Sequence, residues 1–260
     1  MREGGYMMRH AIITAGSKGL GRKVAEQLLE KGYSVTVTYR SDEAKALQLV
    51  ETYPHLKDSI QLLQVDVTKQ ADLEHMVDAA YKRFGRVDIM INNAGPYIFE
   101  RKKLMDYTDE EWNRMIRGNL DAVFYTLKKV VPIMRDQQFG RIVNYGFQGA
   151  DSGVGWIYRS AFAAAKSGLA SLTKTIAYEE AEYGITSNMV CPGKIVGEMK
   201  EASIDSSRPH YDSETPIGRA GTGEDIARSI LFFIGDEADM VTGTVLQVDG
   251  GKEIIHKYRQ

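Results

Sequence analysis

His10-Ala-Ile-Ile-Thr14, followed without a break by Ala15-Gly16-Ser17-Lys18-Gly19-Leu20-Gly21, is the stretch that decides the fold. The first five residues read as a short buried strand. Beyond Gly21 the apolar positions Val24, Leu28 and Leu29 return at helical spacing, with Gly32 just past the helix end. Gly16, Gly19 and Gly21 therefore fall between a strand and a helix. Glycine there lets the backbone turn tightly and approach a phosphate, and the helix N-terminus adds partial positive charge. The spacing is Gly-x-x-x-Gly-x-Gly, and a glycine-rich turn before a helix is also a common structural device. Its place in the first strand-to-helix turn of an alternating chain favours a dinucleotide.

Outward from this stretch, strands and helices alternate. Tyr33 to Tyr39 is β-branched and alternating, hence a second strand; residues 42–53 read as a helix and Ile60 to Val65 as a third strand. From Leu73 a helical period runs through Met76, Val77, Ala80, Tyr81 and Phe84, and Val87 to Ile91 is a fourth strand ending in Asn92-Asn93-Ala94-Gly95. Thr108-Asp-Glu-Glu111 is a capping-box signature, opening one long helix whose face carries Met115, Asn119, Val123 and Leu127. Arg141 to Tyr145 is a fifth strand, residues 158–182 a helix, and Ile185 to Val190 a sixth strand broken by Cys191-Pro192-Gly193. A second cap at Thr222 and a last strand, Val245 to Val248, complete the pattern. Such alternation implies right-handed crossovers and a doubly wound parallel α/β sheet, a Rossmann fold, covered on both faces. No linker or repeat divides the chain, so residues 10–251 are expected to form one domain, between an N-terminal extension (1–9) and a C-terminal tail (252–260). The polar run Glu201–Glu214 is the one long irregular piece, and the segment 197–215 reads as a lid or binding loop.

Composition excludes several classes. With 43% hydrophobic and 26% charged residues, the 260-residue chain can bury a substantial core. A net charge of -2 gives no reason to expect nucleic acid or an anionic membrane as partner. No apolar run approaches the roughly 18–20 residues of a membrane span. The start of the chain lacks the apolar region of a secretory signal, and Met7 and Met8 offer alternative translation starts. Cys191 is the single cysteine, which rules out an intramolecular disulfide and fits a reducing, cytoplasmic setting. The five histidines are scattered without metal-ligand spacing.

The end of the second strand speaks to the choice of dinucleotide. A carboxylate there would bind the ribose diol of NAD, whereas a cation accommodates the extra phosphate of NADP. The sequence reads Tyr39-Arg40-Ser41, and the first acid, Asp42, lies beyond the strand. Arg40, with Lys18 in the glycine loop, favours NADP(H); both also suit an ordinary solvated surface.

The glycine loop, Asn92-Asn93-Ala94-Gly95, Asn119, Lys166, Pro192-Gly193 and the closing Thr242-Gly-x-x-Leu-x-Val-Asp249-Gly-Gly together resemble a short-chain dehydrogenase/reductase. The pattern is most similar to 3-oxoacyl-[acyl carrier protein] reductases and bacterial glucose dehydrogenases, and it covers nearly the whole chain from His10 to Gly251. The resemblance implies a seven-stranded parallel sheet, a nicotinamide cofactor, a carbonyl or acyl-thioester substrate and a homotetramer or dimer. It further implies cofactor contacts from residues 16–21 (Gly16, Ser17, Lys18, Gly19, Leu20, Gly21), from Arg40 and Ser41, from Asp66 and Val67 at the adenine, from Asn93, Ala94 and Gly95, and from Lys166, Pro192, Gly193 and Ile195.

The family's chemistry rests on a Ser, a Tyr, a Lys and an Asn. Lys166 and Asn119 match their positions; Asn119 also suits a structural helix bulge. The Tyr of Tyr-x-x-x-Lys falls on Phe162, and the Ser falls on Phe147 counted from Asn119, or on Gly149 counted back from Phe162. Gly197 stands where the family has a Thr that contacts the carboxamide. A positioned general acid contributes about 10²–10⁴ in rate, so its replacement matters. Tyr158, eight residues before Lys166, is the first candidate for a displaced donor, followed by Tyr145 and Tyr97. Lys166, beyond holding the ribose, is itself a candidate acid once desolvated. Ser152 and His210 are further polar groups within sequence reach. Two readings follow: an NADP(H)-dependent carbonyl reductase with an atypical proton donor, or a non-catalytic NADP(H)-binding sensor or silent partner subunit.

Overall fold

The computed structural model describes residues 8–253. The expectations for residues 1–7 and 254–260 lie outside the described residues. Seven strands, β1 (His10–Ile13), β2 (Ser34–Tyr39), β3 (Ile60–Gln64), β4 (Ile89–Asn92), β5 (Gly140–Tyr145), β6 (Ile185–Pro192) and β7 (Val245–Val248), form one sheet in the order β3-β2-β1-β4-β5-β6-β7. All six pairings are parallel. Parallel strands need helical crossovers, and those helices bury both faces of the sheet. On one face pack α3 (Gln70–Phe84), α5 (Ala122–Gln137) and α6 (Ser160–Glu179), contributing Met76, Val130 and Leu169 to one core. On the other pack α1 (Gly19–Glu30), α2 (Glu43–Thr52) and α8 (Gly223–Ile234), with Leu28, Leu49 and Phe233 in a second core. This two-sided burial explains why Ala11, Ile12 and Ile13 form an unbroken apolar run rather than an alternating one.

β1 is flanked by β2 and β4, so the strand order reverses between β1 and β4. Chains leaving their carboxyl ends diverge to opposite faces and open a crevice there. The site is placed by this feature of topology.

Three local expectations need correction. The helix opened by the Thr108 capping box does not run through as one: α4 (Asp109–Ile116) passes into a π-turn at Arg117–Asp121 before α5 begins. A π-turn frees a carbonyl from the usual i→i+4 ladder, and the Asn119 side chain takes one, donating from Nδ2 to Met115 O at 3.0 Å. β6 continues past Cys191 to Pro192, because β7 pairs with it up to Pro192 opposite Val248. The 201–214 run contains a short helix, α7 (Ile204–Ser207), capped by the Ser203 side chain on Ser206 N. The other elements match their sequence reading to within a few residues. No helix among the described residues is long and apolar enough to cross a membrane.

Candidate active site: a polar cavity joined to an aromatic chamber

Two cavities meet at the carboxyl ends of β1 and β4, sharing Gly95, Tyr97 and Phe99 as a common wall. The outer one, about 470 Å³, lies over Ser17, Lys18, Arg40, Ser41, Asp66 and Val67. The inner chamber, about 640 Å³, is lined by Leu20, Asn93, Asn119, Phe147, Phe162, Lys166, Pro192, Gly193 and Ile195, among others. Apart from Gly16, Gly19 and Gly21, the predicted cofactor residues are thus brought to one continuous cleft, with Ala94 at the outer cavity. Gly16, in the turn between β1 and α1, and Gly19 and Gly21, in the first turn of α1, lie beneath it and line neither cavity.

The floor is held by backbone hydrogen bonds. Thr14 Oγ1 accepts from Asn93 N at 3.1 Å and from Ala94 N at 2.9 Å, and Asn93 Nδ2 donates back to Thr14 O at 2.9 Å. Thr38 Oγ1 accepts from Ala15 N at 2.9 Å, pinning the start of the glycine loop to β2. Gly21 is obligatory: a Cβ there would stand 2.7 Å from Ala15 O and 2.6 Å from Asn93 Nδ2. Gly95 is equally constrained, since a Cβ would run into Asn119 Oδ1. Both glycines serve close approach of backbone segments at negative φ, while Gly19 supplies a left-handed turn at φ +62°.

The cationic end has an asymmetry that the sequence hid. Lys18 Nζ lies 3.6 Å from Asp42 Oδ2, and Asp42 also caps α2 by accepting from Lys45 N. Arg40 is exposed at the tip of β2, and no ion pair engages its guanidinium among the described residues. Asp66 accepts from Thr68 N and Oγ1 at 3.0 and 2.8 Å. Burial works to raise its carboxyl, but those two bonds, with Lys69 and Arg40 nearby, hold it below the usual carboxylate range.

The chamber is different in kind. Phe147, 3% exposed, stacks on Trp156 with centroids 5.4 Å apart and planes at 13°. Phe162 meets Tyr97 edge-on at 5.1 Å and Trp156 at 6.1 Å. Phe147, Trp156, Phe162 and Tyr97 thus form a connected aromatic wall, to which Phe147 contributes and Gly149 does not. Lys166, on α6 one turn beyond Phe162, is 4% exposed, with Nζ 5.8 Å from the Phe162 ring centre. Burial lowers its pKa from 10.5 to about 8, with Cys191 opposing slightly. Asn119 donates from Nδ2 to Pro96 O at 2.9 Å, while its Oδ1 has no protein partner. The Tyr145 hydroxyl is likewise buried without a partner, and burial pushes this phenol up, so it stays protonated.

Tyr158, the leading displaced-acid candidate, is not in the chamber. It precedes α6 in a left-handed conformation (φ +63°), and Arg101 lies over its ring at 5.3 Å. The reason is local: with Tyr158 at positive φ, the chain turns before the helix starts at Ser160, so helical spacing to Lys166 never applies. Ser152 and His210 are exposed and stand away from the chamber, and Gly197 turns at φ +55° without lining it. Tyr97 lines both cavities, and its hydroxyl accepts from Arg159 Nε at 2.6 Å, a bond that orients the phenol and leaves its own proton in place.

Two chamber residues escaped the sequence reading. Arg159 also donates to Phe99 O and Glu100 O, at 2.9 and 2.6 Å, and so ties down the 97–100 loop that roofs the chamber. Lys252, assigned to the tail, is 7% exposed and pairs with Glu214 Oε2 at 3.0 Å, closing the far end of the lid-like segment. Neither carries a motif; Arg159 is adjacent to Tyr158, and only its place beside the 158–166 stretch hinted at a role.

The arrangement fits a dinucleotide: helix N–H groups for a pyrophosphate, glycine turns that leave no space for a Cβ, and a buried lysine in a chamber with the unpaired Asn119 Oδ1 and Tyr145 hydroxyl. The family profile described as Enoyl-(Acyl carrier protein) reductase matches residues 14–253. The chain is a short-chain dehydrogenase/reductase. Among its short-chain reductase relatives, "Putative oxidoreductase YtkK" of Bacillus subtilis (strain 168) is 64% identical over 251 residues, covering 96% of this chain and 98% of that protein. The 3-oxoacyl-[acyl-carrier-protein] reductase FabG of Staphylococcus epidermidis is 36% identical, over 94% of this chain and 99% of its own length. A solved structure described as "Structure of putative 3-oxoacyl-reductase from bacillus thuringiensis" is 62% identical and superposes with a TM-score of 0.92, covering 96% of this chain and 100% of that one. As a member of this family the protein is an oxidoreductase that uses a nicotinamide cofactor.

Proposed function

We propose that the protein is an NADP(H)-dependent reductase of carbonyl compounds, acyl thioesters with a 3-oxo group foremost, in which Lys166 rather than residue 162 delivers the proton. The observation that carries this reading is the unbroken cleft from the N-terminus of α1 to Lys166, with an apolar aromatic wall at its inner end. The FabG relative supports the thioester class, and the exposed, unpaired Arg40 supports the 2′-phosphate of NADP. Asp42, capping α2, is not free to bind a ribose diol.

The bound cofactor would supply the hydride that reduces the carbonyl carbon. This chain's residues do the rest. Backbone N–H groups at the start of α1 would hold the pyrophosphate, Ser17, Ser41, Asp66 and Val67 would hold the adenosine end, and Leu20, Pro192, Gly193 and Ile195 the nicotinamide end. Phe147, Trp156 and Phe162 exclude water and pack against an apolar acyl chain. Lys166 Nζ–H would hold the ribose and, as the protonated amine, would give a proton to the carbonyl oxygen; the neutral amine left behind would be reprotonated by water. A lysine whose pKa is brought down to about 8 is suited to this exchange near neutral pH. Asn119, fixed by the π-turn, keeps an unpaired oxygen in the chamber for the group that orders there.

Association into a tetramer or dimer belongs to the same proposal; Trp112 on α4 and Phe124 on α5 are large apolar groups exposed on the chain by itself. A cytoplasmic setting is supported by Cys191, a buried free thiol.

The test is NADPH oxidation against a panel of 3-oxoacyl thioesters, ketones and aldehydes, run from pH 6 to 10 for the parent and for Phe162→Tyr. The expected parent rate is slow and falls above about pH 8, while Phe162→Tyr gains about 10–100-fold in kcat. If the parent binds NADPH but reduces nothing at any pH, and Phe162→Tyr alone turns over, the aromatic wall marks a cofactor sensor or silent partner subunit.

A further inference from the structure

The first N–H of α1 is already engaged. Gly19 N donates to Glu201 Oε1 at 2.6 Å, across 182 residues of sequence. The Lys200 side chain lies over the same turn, its Cδ 3.7 Å from where a Cβ on Gly19 would stand. A helix N-terminus attracts an anion, and the anion here is the chain's own carboxylate. Glu201 reaches it from the strap that follows Gly197–Lys200, at the front of the lid-like segment.

The strap has a second, separate anchor on α8. Glu224 Oε2 accepts from Ile204 N at 2.6 Å, Glu224 N donates to Ala202 O at 3.3 Å, and Lys200 O is pressed so close to Gly223 that a Cβ there would collide with it. One side of the strap is therefore built into the start of α8. The other meets α1 through the Lys200 side chain and through one hydrogen bond, from Gly19 N to the solvent-exposed Glu201.

We propose that Glu201 is an internal stand-in for the cofactor's pyrophosphate, which must displace this carboxylate from Gly19 to seat at α1, so that Glu201 sets cofactor affinity and couples occupancy to the position of the strap. The inference rests on the dinucleotide reading above. One N–H cannot serve two anions at full strength, and a carboxylate left beside a pyrophosphate would repel it. Swinging Glu201 away leaves the Ile204–Glu224 anchor intact, so the movement is confined to the strap's α1 side.

The test is equilibrium binding of three probes to the full chain and to its Glu201→Gln and Glu201→Ala variants. NADPH and 2′-phospho-ADP-ribose both carry the pyrophosphate, whereas 2′-AMP reaches the adenosine end without it. Glu201→Ala is expected to bind the first two about 3–10-fold more tightly, Glu201→Gln by less, and 2′-AMP unchanged in both. Melting of the variants without ligand checks that each is folded. Equal NADPH affinity for parent and Glu201→Ala, or an equal gain for 2′-AMP, overturns the proposal. Failure of the folded parent and variants alike to bind any of the three would instead overturn the dinucleotide reading beneath it.

Discussion

Beneath the outer cavity, Thr14, Thr38 and Asn93 spend their polar atoms on the backbone, and Gly21 and Gly95 in these turns leave no space for a side chain. At the inner chamber, polar atoms on Asn119 and Tyr145 are left without partners beside the buried Lys166, and the walls are stacked rings. Rigidity comes from hydrogen bonds in one half and from packed aromatic surface in the other. The difference teaches where substitution is tolerated. A hydrogen-bonded backbone floor fails when any atom is added, whereas an aromatic wall can exchange one ring for another and keep its shape. The wall of Phe147 and Phe162 is of the second kind.

The strongest challenge to this contrast is Gly21→Val. Its branched side chain has no space between Ala15 O and Asn93, so the variant should lose about 3 kcal/mol of stability and all measurable NADPH binding. Retained binding by fluorescence titration would mean the floor is softer than its geometry suggests. At the other end, Lys166→Met should stabilise the fold while removing turnover. The folded protein holds Lys166 at a pKa of about 8 against 10.5 ordinarily. Between those values the unfolded chain binds more protons, so stability rises with pH across that window, and the cost of the buried ammonium is fully present below pH 8. The variant should therefore gain about 3 kcal/mol at pH 7, with no gain above about pH 10.5; urea unfolding at the two pH values decides it. Thr14→Val takes the acceptor from Ala94 N and leaves Asn93 N with Ile91 O alone, and should cost about 1–2 kcal/mol, read from the same unfolding curves. Arg40→Ala should weaken NADPH about tenfold and leave NADH as it was; equal losses for both would remove the 2′-phosphate assignment.

Sequence alone carried the fold because its signals are local. The glycine loop, the capping box at Thr108 and the apolar runs of β1 and β4 each act within a few residues of themselves. The cofactor half of the site was legible for the same reason, since Gly16–Gly21 and Asn92–Gly95 are contiguous motifs at strand ends. The chamber was half legible: Lys166 and Asn119 stood at recognisable positions, but the spacing from Tyr158 assumed a helix that starts only at Ser160. What could not be read are pairings between ordinary-looking surface residues far apart in sequence. Arg159 with Tyr97, Lys252 with Glu214 and Gly19 with Glu201 exist only because β1, β4, β5 and β6 end side by side.

The stacking of Trp156 on Phe147 has a practical consequence. The chain has two tryptophans, and the other, Trp112, sits partly exposed on α4, away from both cavities. A ligand entering the chamber must touch or unstack Trp156, so the protein carries a built-in optical reporter. Emission from this indole, with Trp112→Phe to silence the background, would register an acyl chain arriving in the chamber even in a variant that performs no chemistry.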